Sequence, residues 1–292
     1  MRGSHLSSYV NSLKLYILSE NTVLRQRDLL GEHGFSVLID AESEAGRKVI
    51  LFDTGQTGSV LVNNANVLKA PLKETEVICL SHGHFDHSGG LIGALKQIRR
   101  SVRIYMHPHV ILPKYKKIRR KLVDISLPHD VREIERYRGI LQFNTGPVEL
   151  APGILLTGEV PRENPYEEPE NFFMKQGSNL VRDFIKDDQA IVINTREGLV
   201  VVTGCGHSGI VNIINYARRL AKVDEVCAII GGLHLAGAKK PRLEFTINAF
   251  KDANPKLLAP CHCTGYEEAF IIKSNLPKQT VQAAAGAVFT LP

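Results

Sequence analysis

Ser81-His82-Gly83-His84-Phe85-Asp86-His87-Ser88-Gly89-Gly90 packs three histidines and one aspartate into six residues. Imidazole nitrogens and carboxylate oxygens suit zinc and similar divalent ions. In a turn, residues two apart can converge on one ion, and a second pair offset by four can face a neighbouring one. Gly89 and Gly90 then permit close backbone approach and the start of a helix. Packing so many titratable groups together without chemical purpose is costly, so the run predicts a metal centre.

Working outward, residues 77–80 read as a brief apolar strand, which puts the run just past a strand's carboxyl end. Residues 13–18, 35–39, 49–52 and 102–106 also read as strands, and residues 60–68 as a helix. Leu91, Ile92, Leu95 and Ile98 have helical spacing. The second half rhymes with the first. Residues 190–194 and 199–202 form a predicted hairpin. Ile210, Ile213, Ile214, Ala217 and Leu220 mark an amphipathic helix. Strands at 226–230 and 257–259 end in Gly231-Gly232-Leu233-His234 and Pro260-Cys261-His262-Cys263. Strands alternating with helices indicate an α/β class (α+β by some schemes). In such folds the loops at strand carboxyl ends hold ligands. Residues 111–137 are poorly patterned, and residues 111–150 read as an insertion over the site.

The chain has 292 residues, 43% hydrophobic and 23% charged, which is ordinary globular composition. Residues 6–292 read as one domain, and Met1 to His5 as a tag remnant. No apolar run approaches the roughly 20 residues a bilayer span needs, so no membrane partner is expected. The polar start shows no secretory signal. Five cysteines, an odd count, suggest reduced thiols in a cytoplasm. Of the net charge of +6, residues 96–121 carry ten basic groups and no acidic one, leaving 26 basic and 30 acidic groups elsewhere. This stretch is either a solvated lysine-rich face or a surface that attracts phosphate or nucleic acid. Arg99 and Arg103 are the candidates for holding a substrate phosphate bidentately.

His82-x-His84-x-Asp86-His87, after a short strand and before Gly-Gly-Leu, resembles the signature of the metallo-β-lactamase superfamily. The stretch Val49-Ile50-Leu51-Phe52-Asp53-Thr54-Gly55 is similar to its first motif, whose aspartate supports the site. The resemblance implies a four-layer αββα sandwich of two mixed sheets with one or two metals at one edge. Thr157-Gly158-Glu159, Thr203-Gly204-Cys205-Gly206-His207-Ser208-Gly209 and Pro260-Cys261-His262-Cys263-Thr264-Gly265 narrow it. They look like the branch of 7,8-dihydropterin-6-methyl-4-(β-D-ribofuranosyl)-aminobenzene-5′-phosphate synthases, which implies a phosphorylated, pterin-containing small-molecule substrate.

Carried over, the resemblance gives the first metal His82 and His84, and the second Asp86, His87 and His262. A glycine-histidine turn of the wider superfamily is replaced here by Thr157-Gly158-Glu159, and a Gly-Asp turn by Gly204-Cys205. His207 is expected to fill the vacant imidazole role. Asp53 stands as a support and Glu159 as an outlying candidate ligand, and Cys205 is either a thiolate ligand or a buried inert thiol. Cys261 and Cys263 are expected to pack away from His262, since alternate residues of an extended segment face opposite ways. His5, His33 and His129 carry no signal.

The cofactor is expected to be one or two divalent ions, zinc first, with manganese or iron as alternatives. Such an ion lowers the pKa of bound water from about 15.7 to about 7. The expected protein is a metal-dependent hydrolase using metal-bound hydroxide on an ester or phosphoester. Asp86 orients the nucleophile and His234 protonates the leaving group. One rival is a nuclease acting on RNA or DNA. The basic run favours it, but 7% aromatic residues and no Trp weaken single-strand stacking. A non-catalytic metal-binding protein is the other rival. The resemblance argues against a di-iron oxidoreductase, which places glutamate where His84 stands.

Overall fold

Short apolar runs separated by glycine turns become strands, and the amphipathic runs between them become helices. The computed structural model describes residues 8–25 and 28–292; residues 1–5, read above as a tag remnant, lie outside them. The chain begins with β1 (Val10–Ser19), β2 (Ser36–Ser43), β3 (Gly46–Phe52), α1 (Gly58–Val67), β4 (Val77–Cys79), α2 (Phe85–Ser88), α3 (Leu91–Ile98) and β5 (Val102–Met106). The middle supplies β6 (Lys114–Ile118), β7 (Lys121–Asp124), α4 (Val131–Arg136), β8 (Gly139–Phe143), β9 (Val148–Ala151), β10 (Ile154–Leu156), β11 (Phe172–Gln176) and β12 (Asn179–Arg182). The last third is β13 (Ala190–Thr195), β14 (Gly198–Thr203), α5 (Ile210–Ala221), β15 (Val226–Gly232), α6 (Lys240–Ala253), β16 (Leu257–Cys261), α7 (Tyr266–Asn275) and β17 (Val288–Leu291).

Two mixed sheets result. One runs β17-β1-β2-β3-β4-β5-β8 and the other β9-β10-β13-β14-β15-β16. Among the described residues they are joined by one register pair, Val10 with Thr195. Each contains an antiparallel hairpin continued by parallel strands: β2–β3 then β4, and β13–β14 then β15. That is the rhyme seen in the sequence.

Successive strand residues point to opposite faces, and here both faces are buried. Ile39, Ile50 and Phe52 meet Ile191, Val200 and Ile230 between the sheets. Their neighbours Leu38 and Leu51 pack outward on Leu61 of α1 and Leu91 and Leu95 of α3. On the other side Val201 and Ile229 pack on Ile210 and Ile214 of α5 and Phe250 of α6. These three apolar layers make the αββα sandwich. Burial on both faces explains why strands such as Leu199 to Val202 read as unbroken apolar runs.

The middle of the chain does more than insert. β8 and β9 complete the two sandwich sheets. Only the β6–β7 hairpin stands apart, pairing with β11–β12 as a separate four-stranded antiparallel sheet. No helix among the described residues is long and apolar enough to cross a membrane.

Candidate metal centre

Five chain segments meet where parallel strands end. Asp53 follows β3, and Ser81 to His87 follow β4. Cys205 and His207 follow β14, His234 follows β15, and His262 and Cys263 follow β16. The ligand-bearing side chains are nearly all buried: His82, His84, Asp86, His87, His207 and His262 are each at most 7% exposed.

Asp53 organises the loop after β4. Its Oδ1 accepts from the Ser81 backbone N–H at 2.6 Å, and its Oδ2 accepts from Ser81 Oγ at 2.7 Å. His87 Nδ1 lies 2.7 Å from the same Oδ2. Gly204 makes room for this cluster, since a Cβ there would lie 2.1 Å from Ser81 Oγ. With Nδ1 engaged, His87 turns Nε2 towards Cys205 Sγ and His262 Nε2, each 3.1 Å away. His262 Nδ1 is fixed 2.8 Å from Asn21 Oδ1, which leaves its Nε2 facing inward. Asp86 Oδ2 lies 3.4 Å from that Nε2 and 3.8 Å from His87 Nε2.

Beside this set, His82, His84 and His207 bring one donor atom each within 4.8 Å of one another. His82 Nε2 is 2.9 Å from His84 Nδ1. Buried His84 Nε2 and both ring nitrogens of His207 have no hydrogen-bond partner. Burial holds these imidazoles neutral: His84 falls to about 3, and His82 and His207 lie well below the usual histidine range. His87 differs. Burial works to lower it, but the charges of Asp53 and Asp86 outweigh burial and raise it to about 9. Neutral imidazole lone pairs, buried, converging and unpartnered, carry the desolvation cost of unsatisfied groups. A divalent cation satisfies them, so the residues fit the metal that the sequence implies.

Several expectations change. Glu159 does not reach the cluster; its Oε1 lies 3.0 Å from His107 Nε2. Arg99 and Arg103 do not line the pocket. Arg103 pairs with Val77 at the start of β4, the strand end opposite the site, and Arg99 caps the far end of α3. Cys263 was expected to point away, but residues 262–264 form a 3₁₀ turn with His262 at φ 52° rather than an extended segment. The turn swings Cys263 into the pocket wall, while Cys261 stays in the core.

Sequence reasoning also missed residues. His33 Nε2 lies 3.2 Å from Asp86 Oδ2, and that hydrogen bond raises the His33 pKa. No spacing signal tied residue 33 to residue 86. From the basic run only Lys116 lines the pocket, with its Nζ 5.3 Å from the Phe172 ring centroid. Fully buried Lys114 bridges Asp183 (2.7 Å) and Asp187 (2.8 Å). Asp187 also accepts from the Gly83 N–H at 2.8 Å, which ties the small sheet to the histidine loop. The pocket itself measures about 110 Å³, with His33, Asp86, Phe172 and His234 in its walls.

Comparison with known proteins identifies the family and the fold. A family model described as the metallo-beta-lactamase superfamily matches residues 30–219. The chain is 31% identical over 284 residues to a protein of Methanocaldococcus jannaschii, covering 96% of this chain and 97% of that one. That protein is named 7,8-dihydropterin-6-methyl-4-(beta-D-ribofuranosyl)-aminobenzene-5'-phosphate synthase. Among solved structures, a metal-dependent hydrolase of the beta-lactamase superfamily superimposes with a TM-score of 0.80 at 27% identity, over 95% of this chain and 98% of its own. The metallo-beta-lactamase fold protein YhfI from Bacillus subtilis gives 0.56 at 13% identity, over 96% and 100%, a likeness of fold alone.

Proposed function

The chain belongs to the metallo-β-lactamase superfamily, and from that premise we propose that it is a metal-dependent hydrolase of phosphorylated, pterin-like esters or phosphoesters. The observation that carries this reading is the meeting of two donor sets side by side: His82, His84 and His207 beside Asp86, His87 and His262. His82, His84 and His207 would hold one divalent ion, and Asp86, His87 and His262 a second. Zinc is the first choice and manganese or iron the alternatives. When bound, such ions supply Lewis acidity and make water acidic enough to attack at neutral pH.

The protein's own groups do the rest. Asp86 Oδ2 orients the attacking water and takes its proton, while His33 Nε2, 3.2 Å away, donates to that carboxylate. His33 is more than half exposed, so it can give its own proton to the leaving group and then regain one from Asp86. We assign this role to His33, which is exposed and contacts Asp86 directly, rather than to His234, whose Nδ1 is buried. Lys116 supplies positive charge for a substrate phosphate, and Phe172 and Phe85 offer flat apolar walls for an aromatic ring.

The identity to a named synthase favours a second reading, in which the same pocket joins two substrates rather than cleaving one. Turnover of a phosphorylated aryl ester in ¹⁸O-labelled water separates them, because hydrolysis puts the label into one product and joining does not. His84→Ala is expected to lose the ion that His82, His84 and His207 would hold, and turnover with it. Full activity in that variant would end both readings.

A further inference from the structure

Cys205, His234 and Cys263 form a further donor set, which meets the imidazole-rich centre at Cys205. The three residues follow three successive parallel strands of the second sheet, β14, β15 and β16. Their donor atoms all lie within 4.8 Å of one another. That spread suits one ion, given sulfur bonds of about 2.3 Å and nitrogen bonds of about 2.0–2.1 Å.

Three local features hold the set together. Cys263 Sγ lies 3.3 Å from the Cys205 carbonyl oxygen. Gly232 lets it approach, since a Cβ there would stand 2.7 Å from that sulfur. His234 is kept in a left-handed backbone conformation (φ 47°), and its Nδ1 is buried with no hydrogen-bond partner. All three residues line the pocket. Thiolate ligands favour soft or borderline ions. Two sulfurs and one imidazole would give three of the four ligands that a zinc-class ion takes.

We propose that Cys205, His234 and Cys263 form a sulfur-rich binding site for a zinc-class ion, next to the imidazole-rich pair. Binding displaces the thiol protons to solvent, because a coordinating ion deprotonates a thiol outright. Cys205 is also within reach of His82 and His87, and a thiolate sulfur can bridge two ions. The second sheet therefore carries a soft donor set of its own, while the first sheet carries the histidine loop.

Cobalt(II) titration of the chelator-stripped full chain tests the proposal without reference to catalysis. The wild type is expected to show a near-ultraviolet sulfur-to-cobalt absorption from two thiolates. Cys263→Ser should remove one bound equivalent and with it at least half of that absorption. His234→Ala, which keeps both thiols, should also remove one equivalent, and it carries the test if the serine variant does not fold. His84→Ala should leave the absorption intact. Absorption unchanged in Cys263→Ser, or stoichiometry unchanged in His234→Ala, overturns the proposal. So does the loss of two thiols to a Cys205–Cys263 disulfide in the freshly purified protein. A protein without hydrolase activity would still give the expected spectrum, so the two readings fail separately.

Discussion

His87 Nδ1 and Asp53 Oδ2 face each other at 2.7 Å, both side chains fully buried. This contact fixes which imidazole nitrogen is free, and so aims Nε2 at Cys205 and His262. Outer partners of this kind typically contribute 10–100-fold to metal affinity. Asp53→Ala is expected to weaken metal binding by about that factor while leaving all the direct donors in place. Equilibrium dialysis against zinc measures it; unchanged affinity would remove Asp53 from the design.

The same pair makes the metal-free protein sensitive to pH. The His87 pKa is raised in the folded state to about 9, so its stabilisation is fully present below the unfolded value of about 6.5. It is lost as pH rises from there through 9. At 1.36 kcal/mol per unit, the ceiling is about 3 kcal/mol. Chelated wild type should lose stability over this window by denaturant titration, and Asp53→Asn should show a flatter profile.

Lys114 is a different kind of anchor. Burial works to lower its pKa, but Asp187 and Asp183 hold it raised. Lys114→Met leaves two carboxylates buried without a counter-charge, a change that costs about 3–5 kcal/mol. A clear fall in Tm is expected, partly reversed by adding Asp183→Asn and Asp187→Asn. Because Asp187 holds Gly83, the single variant should also bind metal less tightly. A Tm within a degree of wild type would contradict this.

Substrate charge provides another handle. Lys116→Ala should raise KM for a phosphorylated substrate severalfold and flatten its salt dependence, since exposed charges are screened over about 8 Å at physiological ionic strength. Arg99→Ala, at the far end of α3, should change neither. The reverse pattern would restore the arginines as the phosphate holders.

Much of this was legible in the sequence because it is local. The histidine loop is contiguous, and the strand-then-glycine pattern marks the ends on which His207, His234 and His262 sit. The apolar runs alone indicated an α/β class, and the αββα sandwich was implied by the family resemblance. What escaped the sequence depends on long-range approach. His33 meets Asp86 across 53 positions, and Lys114 meets Asp187 across 73. Neither separation has a period. Cys263 was misread because alternation holds only for extended chain, and one left-handed residue, His262, breaks it. Arg99 and Arg103 were misjudged because charge composition says nothing about which end of a strand a residue occupies.

Among the described residues, Val10–Thr195 is the one strand-register pair between the sheets, and that has a mechanical consequence. His82, His84 and His87 hang from one side of that seam, and Cys205, His207 and His262 from the other. An ion gripped by both sides acts as a rivet, and by mass action it adds its binding free energy to the resistance against prying the halves apart. Stripped of it, each half keeps its own layer of helices, and amide hydrogen exchange along the seam should quicken before either sheet unravels.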